Sequence, residues 1–277
     1  MDREAKTKTR LDAYIVAQGL CESREKAKAL IMAGQVFVNG ARSDKAGLNV
    51  ASDVTVEIRG KLNPYVSRGG LKLEKAIEVF SIDFVDRIVL DLGASTGGFT
   101  DCALMRGAKK VYAVDVGYGQ LSWSLRQNDK VVVLEKTNAR YLSPDIIKEK
   151  INIVTIDLSF ISIVKILPAL PLLLSEDNNI IALVKPQFEA GRNKVGKKGV
   201  VRDPKTHEEV LTTIINALNE SNFYAYGLDF SPITGPEGNI EYLLWFSNNE
   251  NPYSAKTKIN ITNTVANAFS SLTGGNS

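Results

Sequence analysis

Histidine and cysteine are nearly absent: 277 residues contain one histidine, His207, and two cysteines, Cys21 and Cys102. The cysteines are far apart and have no neighbouring His or Cys at ligand spacing, so neither a metal centre nor a disulfide framework is expected. Long apolar runs are missing as well. No stretch reaches the roughly 18 apolar residues that span a bilayer, and LPALPLLL is short and interrupted by prolines. The opening MDREAKTKTRLDAYIV lacks the charged-then-apolar order of a secretory signal. A reducing cytoplasm, with no metal and no membrane, is the expected setting. Two nucleotide motifs are also missing. No Gly-Lys-Ser/Thr closes a Walker loop, and Ser95 stands where G-x-G-x-x-G requires its second glycine. ATPase and nicotinamide dehydrogenase readings are thereby disfavoured.

What is present is an ordinary globular composition, 44% hydrophobic and 23% charged, enough for one large domain and a small one. A formal net charge of +3 is compatible with a polyanionic partner. A monomer is expected.

The spacing predicts a small module over about Thr9 to Arg59: a helix from Arg10 to Gln18, and a second that Ser23 caps and Gly34 ends. Ala27, Leu30 and Ile31 share one face of that second helix. Arg24 and Lys28, spaced i,i+4, project from another and can face a phosphate backbone. VFVNG reads as a strand closed by the turn dipeptide Asn39-Gly40, with DVTVEI as its partner. Lys61 to Pro64 reads as a linker.

From Tyr65 onward, apolar strands alternate with helical segments, predicting an α/β fold with a doubly wound, mainly parallel sheet and an antiparallel edge from the last strands. The tail from about Asn248 reads as partly frayed.

In LDLGASTGGF the strand ends near Asp91, and Gly93, Ala94, Ser95, Gly97, Gly98 and Phe99 form the turn into a helix. Such a loop suits close backbone approach to S-adenosylmethionine, which has no phosphate. Asp115 closes the next strand and can accept ribose hydroxyls, and Asn138 can bond an adenine amino group. Turn capping is the plain alternative for both.

Lys72, Asp157, Lys185 and Glu241 lie in SRGGLKLEKA, TIDLSFISI, ALVKPQFEAG and GPEGNIEYLLWF, the last three beside the ends of apolar runs. Two lysines and two carboxylates near a cofactor loop suggest acid/base chemistry. Phe160 and Phe188, each three residues past a member of this set, could line a base pocket or simply pack. His207 is expected exposed at a helix start, and Trp123 and Trp245 in the core. The segment from Gly191 to Asp203 reads as a basic loop, either mobile over RNA or merely solvated.

RLDAYIVAQGLCESREKAKALIMAGQVFVNG resembles the S4 RNA-binding domain over about a fifth of the chain. That likeness implies RNA contact through Arg24, Lys28 and Arg42, and Arg10 and, outside the likeness, Arg68 are further expected RNA contacts. The four strings resemble the FtsJ-like ribose 2′-O-methyltransferases, with Lys72, Asp157, Lys185 and Glu241 as the catalytic tetrad. With the S4 likeness, the whole chain resembles the TlyA family, historically called haemolysins. The resemblance implies an S4 domain at 1–60, a linker at 61–64 and a transferase domain at 65–277. It also implies methylation of cytidine ribose in 16S and/or 23S ribosomal RNA, with ribosomal subunits as partners. Deprotonating a 2′-hydroxyl needs a base, for which Lys185 is the expected group. Lys72 would position the hydroxyl, and Asp157 and Glu241 would orient the lysines. A membrane-active haemolysin and a non-catalytic ribosome assembly factor are the alternatives.

Overall fold

The computed structural model describes residues 8–32, 34–59, 63–196, 198–250 and 259–273. They form two compact units that divide between Ser67 and Arg68. Lys61 and Leu62 of the expected linker lie outside the described residues.

The first unit runs β1 (Lys8–Arg10), α1 (Leu11–Ala17), α2 (Arg24–Met32), β2 (Val36–Val38), β3 (Ala41–Ser43), β4 (Asn49–Ala51) and β5 (Val56–Ile58). Ser23 Oγ accepts from Lys26 N at 3.2 Å, satisfying a free amide at the start of α2. Helix α1 begins one residue later than the pattern predicts, because Arg10 pairs with Asn49 in β1–β4. Asn39 and Gly40 both have positive φ, 49° and 80°, as a two-residue hairpin turn between Val38 and Ala41 demands. Strand β5 pairs with β2 as expected. Leu11, Ile15, Ala27, Leu30, Ile31 and Val36 form the core of this unit.

The second unit begins with α3 (Gly69–Phe80), then β6 (Ile88–Leu92), α4 (Gly98–Met105), β7 (Lys110–Val114), α5 (Trp123–Arg126), β8 (Val131–Leu134) and β9 (Ile151–Ile156). There follow β10 (Leu174–Val184), α6 (Pro186–Glu189), α7 (Pro204–Glu220), β11 (Tyr224–Phe230), β12 (Tyr242–Ser247) and α8 (Ile261–Thr273). The seven strands are ordered β11-β12-β10-β9-β6-β7-β8. The five from β6 to β10 are parallel; β12 runs antiparallel to β10, and β11 to β12. Near-continuous apolar strands such as IVLDL and INIVTI are what a sheet covered on both faces requires. Strand order reverses at β6, whose neighbours are β7 and β9, the position outside whose C-terminal ends open α/β sheets bind their ligands.

The expected frayed tail is corrected in part. Ile261–Thr273 is helix α8, with Val265 and Ala268 buried and Ile261, Phe269 and Leu272 packed on the same core. The apolar spacing of these residues, i, i+4, i+7, i+8 and i+11, is a helical stripe within an otherwise polar stretch. Among the described residues no helix is long and apolar enough to cross a membrane.

Candidate active site

The loop after β6 is built by backbone constraints. Gly93 has φ 89°, and a Cβ there would lie 2.5 Å from the Asp157 carbonyl oxygen, so the turn has room for no side chain. Ser95, itself at φ 49°, donates its N–H to Asp115 Oδ2 at 2.8 Å. That bond ties the ends of β6 and β7 together, while Asp115 Oδ1 accepts from Gly117 N at 2.7 Å within the turn after β7. Gly93, Ser95 and Asp115 are accessible, whereas Ala94, Gly97, Gly98 and Phe99 are buried where the loop enters α4. Asp91 is fully buried beneath the loop, its carboxylate taking Thr100 Oγ1 at 2.6 Å and Thr155 Oγ1 at 2.9 Å. Burial pushes its pKa up to about 6, against the two threonine hydroxyls and with help from nearby Asp157. It supports the loop from below. Asn138 is exposed, and its Oδ1 accepts from Arg140 N at 3.1 Å, so the capping alternative describes its carbonyl end.

The four residues of the expected tetrad form two ion pairs. Lys72 Nζ on α3 reaches Glu241 Oε2 at 2.6 Å, with side chains 11% and 2% exposed. Lys185 Nζ lies 2.6 Å from Asp157 Oδ1 and donates to Ser159 Oγ at 3.1 Å. The Lys185–Asp157 contact is an ion pair by distance only; Asp157 Oδ1 is buried and accepts no directed hydrogen bond. In the β10–β12 ladder Val184 faces Tyr242, so the next residues outward, Lys185 and Glu241, emerge on adjacent strands. Asp157 leaves β9, the neighbour of β10 on its other side, at the same end of the sheet. A Cβ on Gly235 would lie 2.8 Å from Glu241 Oε1, so the GPEGN turn closes directly over that carboxylate.

Beside Lys185 is a cavity of about 570 Å³ lined by Phe160, Gln187, Phe188, Gly191, Val195 and Gly199. Phe160 is 90% exposed, has φ 65°, and its ring centroid is 4.8 Å from that of Phe188. A bulky residue held outward in the left-handed region is a strained arrangement. Behind it, Glu189 Oε1 accepts from Ile163 N at 2.9 Å, and burial raises that carboxyl's pKa.

Two expectations are overturned here. His207 is fully buried, not exposed: Nε2 is 2.9 Å from the Val201 carbonyl and Nδ1 2.8 Å from Tyr242 Oη. A carbonyl can only accept, so Nε2 carries the proton and Nδ1 accepts from the tyrosine. Asp203 provides the exposed cap of α7, accepting from Lys205 N and Thr206 N, while His207 turns inward. Trp123 is 68% exposed at the start of the short α5, outside the core, and Trp245 is half-buried with Nε1 donating to Asn179 at 2.9 Å.

In the first unit, Asp12 is a fully buried carboxylate that collects two half-exposed guanidiniums. Arg10 bonds it through Nε at 3.1 Å and Nη2 at 3.0 Å, and Arg24 through Nη2 at 3.2 Å. The Arg10 hydrogen bond is the chief cause holding the Asp12 pKa below the usual carboxylate range. Arg24 thus shares a carboxylate with Arg10 instead of standing with Lys28 alone. Lys28 and Arg42 are exposed, and the Arg42 guanidinium lies across Gly34, 2.1 Å from where a Cβ would sit. Arg68, also exposed, belongs to the second unit, at the start of α3.

Comparison with known proteins agrees with this geometry. Residues 65–248 match the FtsJ-like methyltransferase model, and residues 9–56 match the S4 domain. Over 239 residues the chain is 45% identical to the 16S/23S rRNA (cytidine-2′-O)-methyltransferase TlyA of Mycobacterium tuberculosis, covering 86% of this chain and 89% of the relative. The chain is an FtsJ-like methyltransferase of the TlyA family. It is also 44% identical over 241 residues to Hemolysin A of Brachyspira hyodysenteriae, covering 86% and 99% of the two chains. A solved structure of a candidate hemolysin from Streptococcus thermophilus superposes with a TM-score of 0.76 at 45% identity, covering 98% of each chain.

Several supports of this FtsJ-like site were not legible in the pattern. Asn239 is buried, accepts from Val201 N at 3.1 Å and donates to Gly199 O at 2.9 Å, fastening the segment beside the cavity. Glu135 holds Arg126 at 2.5 Å and accepts from Gly119 N at 2.9 Å, bracing the turn after Asp115; its pKa is lowered chiefly by Arg126. The only signal for Asn239 was its place inside GPEGN, two residues before Glu241.

Proposed function

We propose that the chain methylates the ribose 2′-oxygen of a cytidine in ribosomal RNA, using S-adenosylmethionine. One observation carries this reading: two lysine–carboxylate pairs, Lys72–Glu241 and Lys185–Asp157, stand at one end of the sheet beside the Gly93 loop. The RNA substrate comes from the likeness to TlyA relatives and the S4 match. Residues 1–60 serve as the RNA-binding domain, 61–64 as linker and 65–277 as the transferase.

The loop residues fit the cofactor. Gly93 offers bare backbone, Ser95 and Asp115 are accessible, and no phosphate-binding fingerprint is present. When bound, S-adenosylmethionine supplies a methyl group already activated by its sulfonium charge. The protein's task is to remove a proton and hold the oxygen in line. Once it has released its own proton to solvent, Lys185 Nζ accepts the 2′-hydroxyl proton as the neutral amine, its place fixed by Asp157 and Ser159. Lys72, held by Glu241, positions the oxygen and stabilises its developing negative charge. Asp157 Oδ1, 2.6 Å from Lys185 Nζ, orients that amine toward the hydroxyl.

The test is methyl transfer from labelled cofactor to separated ribosomal subunits, followed by mapping of the product. Lys185→Ala should reduce transfer by about 10²–10⁴-fold with cofactor binding intact. Lys185→Arg should fail equally, since guanidinium does not release its proton near neutral pH. RNA with a 2′-deoxy sugar at the mapped nucleotide should accept no methyl group. Methylation of that substrate would move the chemistry to a base.

A further inference from the structure

We propose that Gln187 is the specificity-determining residue of the base pocket, its Oε1 accepting a hydrogen bond from the exocyclic amino group of a cytosine. The inference rests on the ribose-methylation reading and adds to it how the base is chosen. Gln187 lies two residues past Lys185 in α6 and lines the 570 Å³ cavity, whose volume falls in the ~300–1,000 Å³ range of small-ligand sites. Its Oε1 is buried with no hydrogen-bond partner among the described residues. A buried acceptor left unpaired is costly, and a ligand's N–H donor would relieve that cost. The other such atom at this end of the sheet, Asp157 Oδ1, belongs to the reacting centre.

The cavity's walls suit a base. Phe160 and Phe188 present tilted rings at 4.8 Å, a surface on which an unstacked base can lie. Phe160, 90% exposed, presents its ring to a base that leaves its own stack. An amide oxygen then demands an N–H donor. Cytosine offers its amino group where uracil offers a carbonyl, so the same atom that bonds one pyrimidine faces the lone pairs of the other. The discrimination expected of one such hydrogen bond is about ten- to a hundredfold.

The experiment measures kcat/KM for methyl transfer to ribosomal subunits carrying either cytidine or uridine at the mapped nucleotide. Wild type should prefer cytidine. Gln187→Met, of similar length but without an acceptor, should reduce that preference by about ten- to a hundredfold with cofactor affinity unchanged. Gln187→Glu keeps the acceptor and should keep the preference. The inference is overturned if wild type does not distinguish the two pyrimidines, if the Met variant keeps the wild-type preference, or if the Glu variant loses the preference as the Met variant does. Failure of wild type to methylate either substrate would instead remove the ribose-methylation reading itself, and the inference with it.

Discussion

Asp91 lies beneath the site without facing it. Its carboxylate is fully buried, and two threonine hydroxyls offset part of the cost of its charge. With its pKa raised from 3.8 to about 6, the native state binds the proton more tightly than the unfolded chain does. The stabilisation from that proton is therefore complete below pH ~4 and is lost as pH rises through about 6. Asp91→Asn should remove this dependence. The stability of wild type relative to the Asn variant should fall by on the order of 3 kcal/mol between pH 4 and pH 7, read by denaturant unfolding at each pH. A constant difference across that window would show that Asp91 carries no such shift.

Strand ends, and the segments fastened to them, set the geometry of the site. Adjacent exits of β9, β10 and β12 deliver Asp157, Lys185 and Glu241 to one edge. The segment from Gly199 to Asp203 is held there by Asn239 and by His207 on α7. Burial lowers the His207 pKa, so the neutral ring's contribution is present above its ordinary value of 6.5 and is lost as pH falls below it. His207→Phe keeps an aromatic ring but strands the Val201 carbonyl and the Tyr242 hydroxyl, each at a cost of about 1–3 kcal/mol. The expected outcome is lower stability together with faster amide hydrogen exchange in residues 199–203. Unchanged exchange there would show that the histidine does not hold the segment.

At the scale of the whole molecule, the proposed function assigns the two units separable tasks. Arg24 and Lys28 lie in the first unit, and Asp115 at the end of β7 in the second. Replacing Arg24 and Lys28 with Ala should weaken RNA association and flatten its salt dependence, by a slope of roughly 0.7–0.9 for each phosphate no longer neutralised, with cofactor affinity unchanged. Asp115→Ala should do the reverse, weakening S-adenosylmethionine in calorimetry and leaving RNA binding intact. If either variant impairs both ligands equally, the division of labour fails.

Much of this was legible from local pattern. Continuous apolar strands marked the parallel sheet, Asn39-Gly40 the hairpin, and Ser95 in place of glycine the absence of a dinucleotide loop, because each depends on neighbours a few residues away. Asp157, Lys185 and Glu241 were also visible, as charges beside apolar runs, and Lys72 through the family resemblance. Who pairs with whom was not: Lys72 and Glu241 are 169 residues apart, and only the packing of α3 against the sheet brings them to 2.6 Å. The same holds for His207, which a one-dimensional reading put on the surface. Its helix turns that position inward, where Val201 and Tyr242 supply the partners that make a buried imidazole tolerable. Composition and periodicity determined the fold class and the chemistry available; long-range packing decided which polar groups are buried, paired or left open to a ligand, because burial and partnership arise between segments distant in sequence.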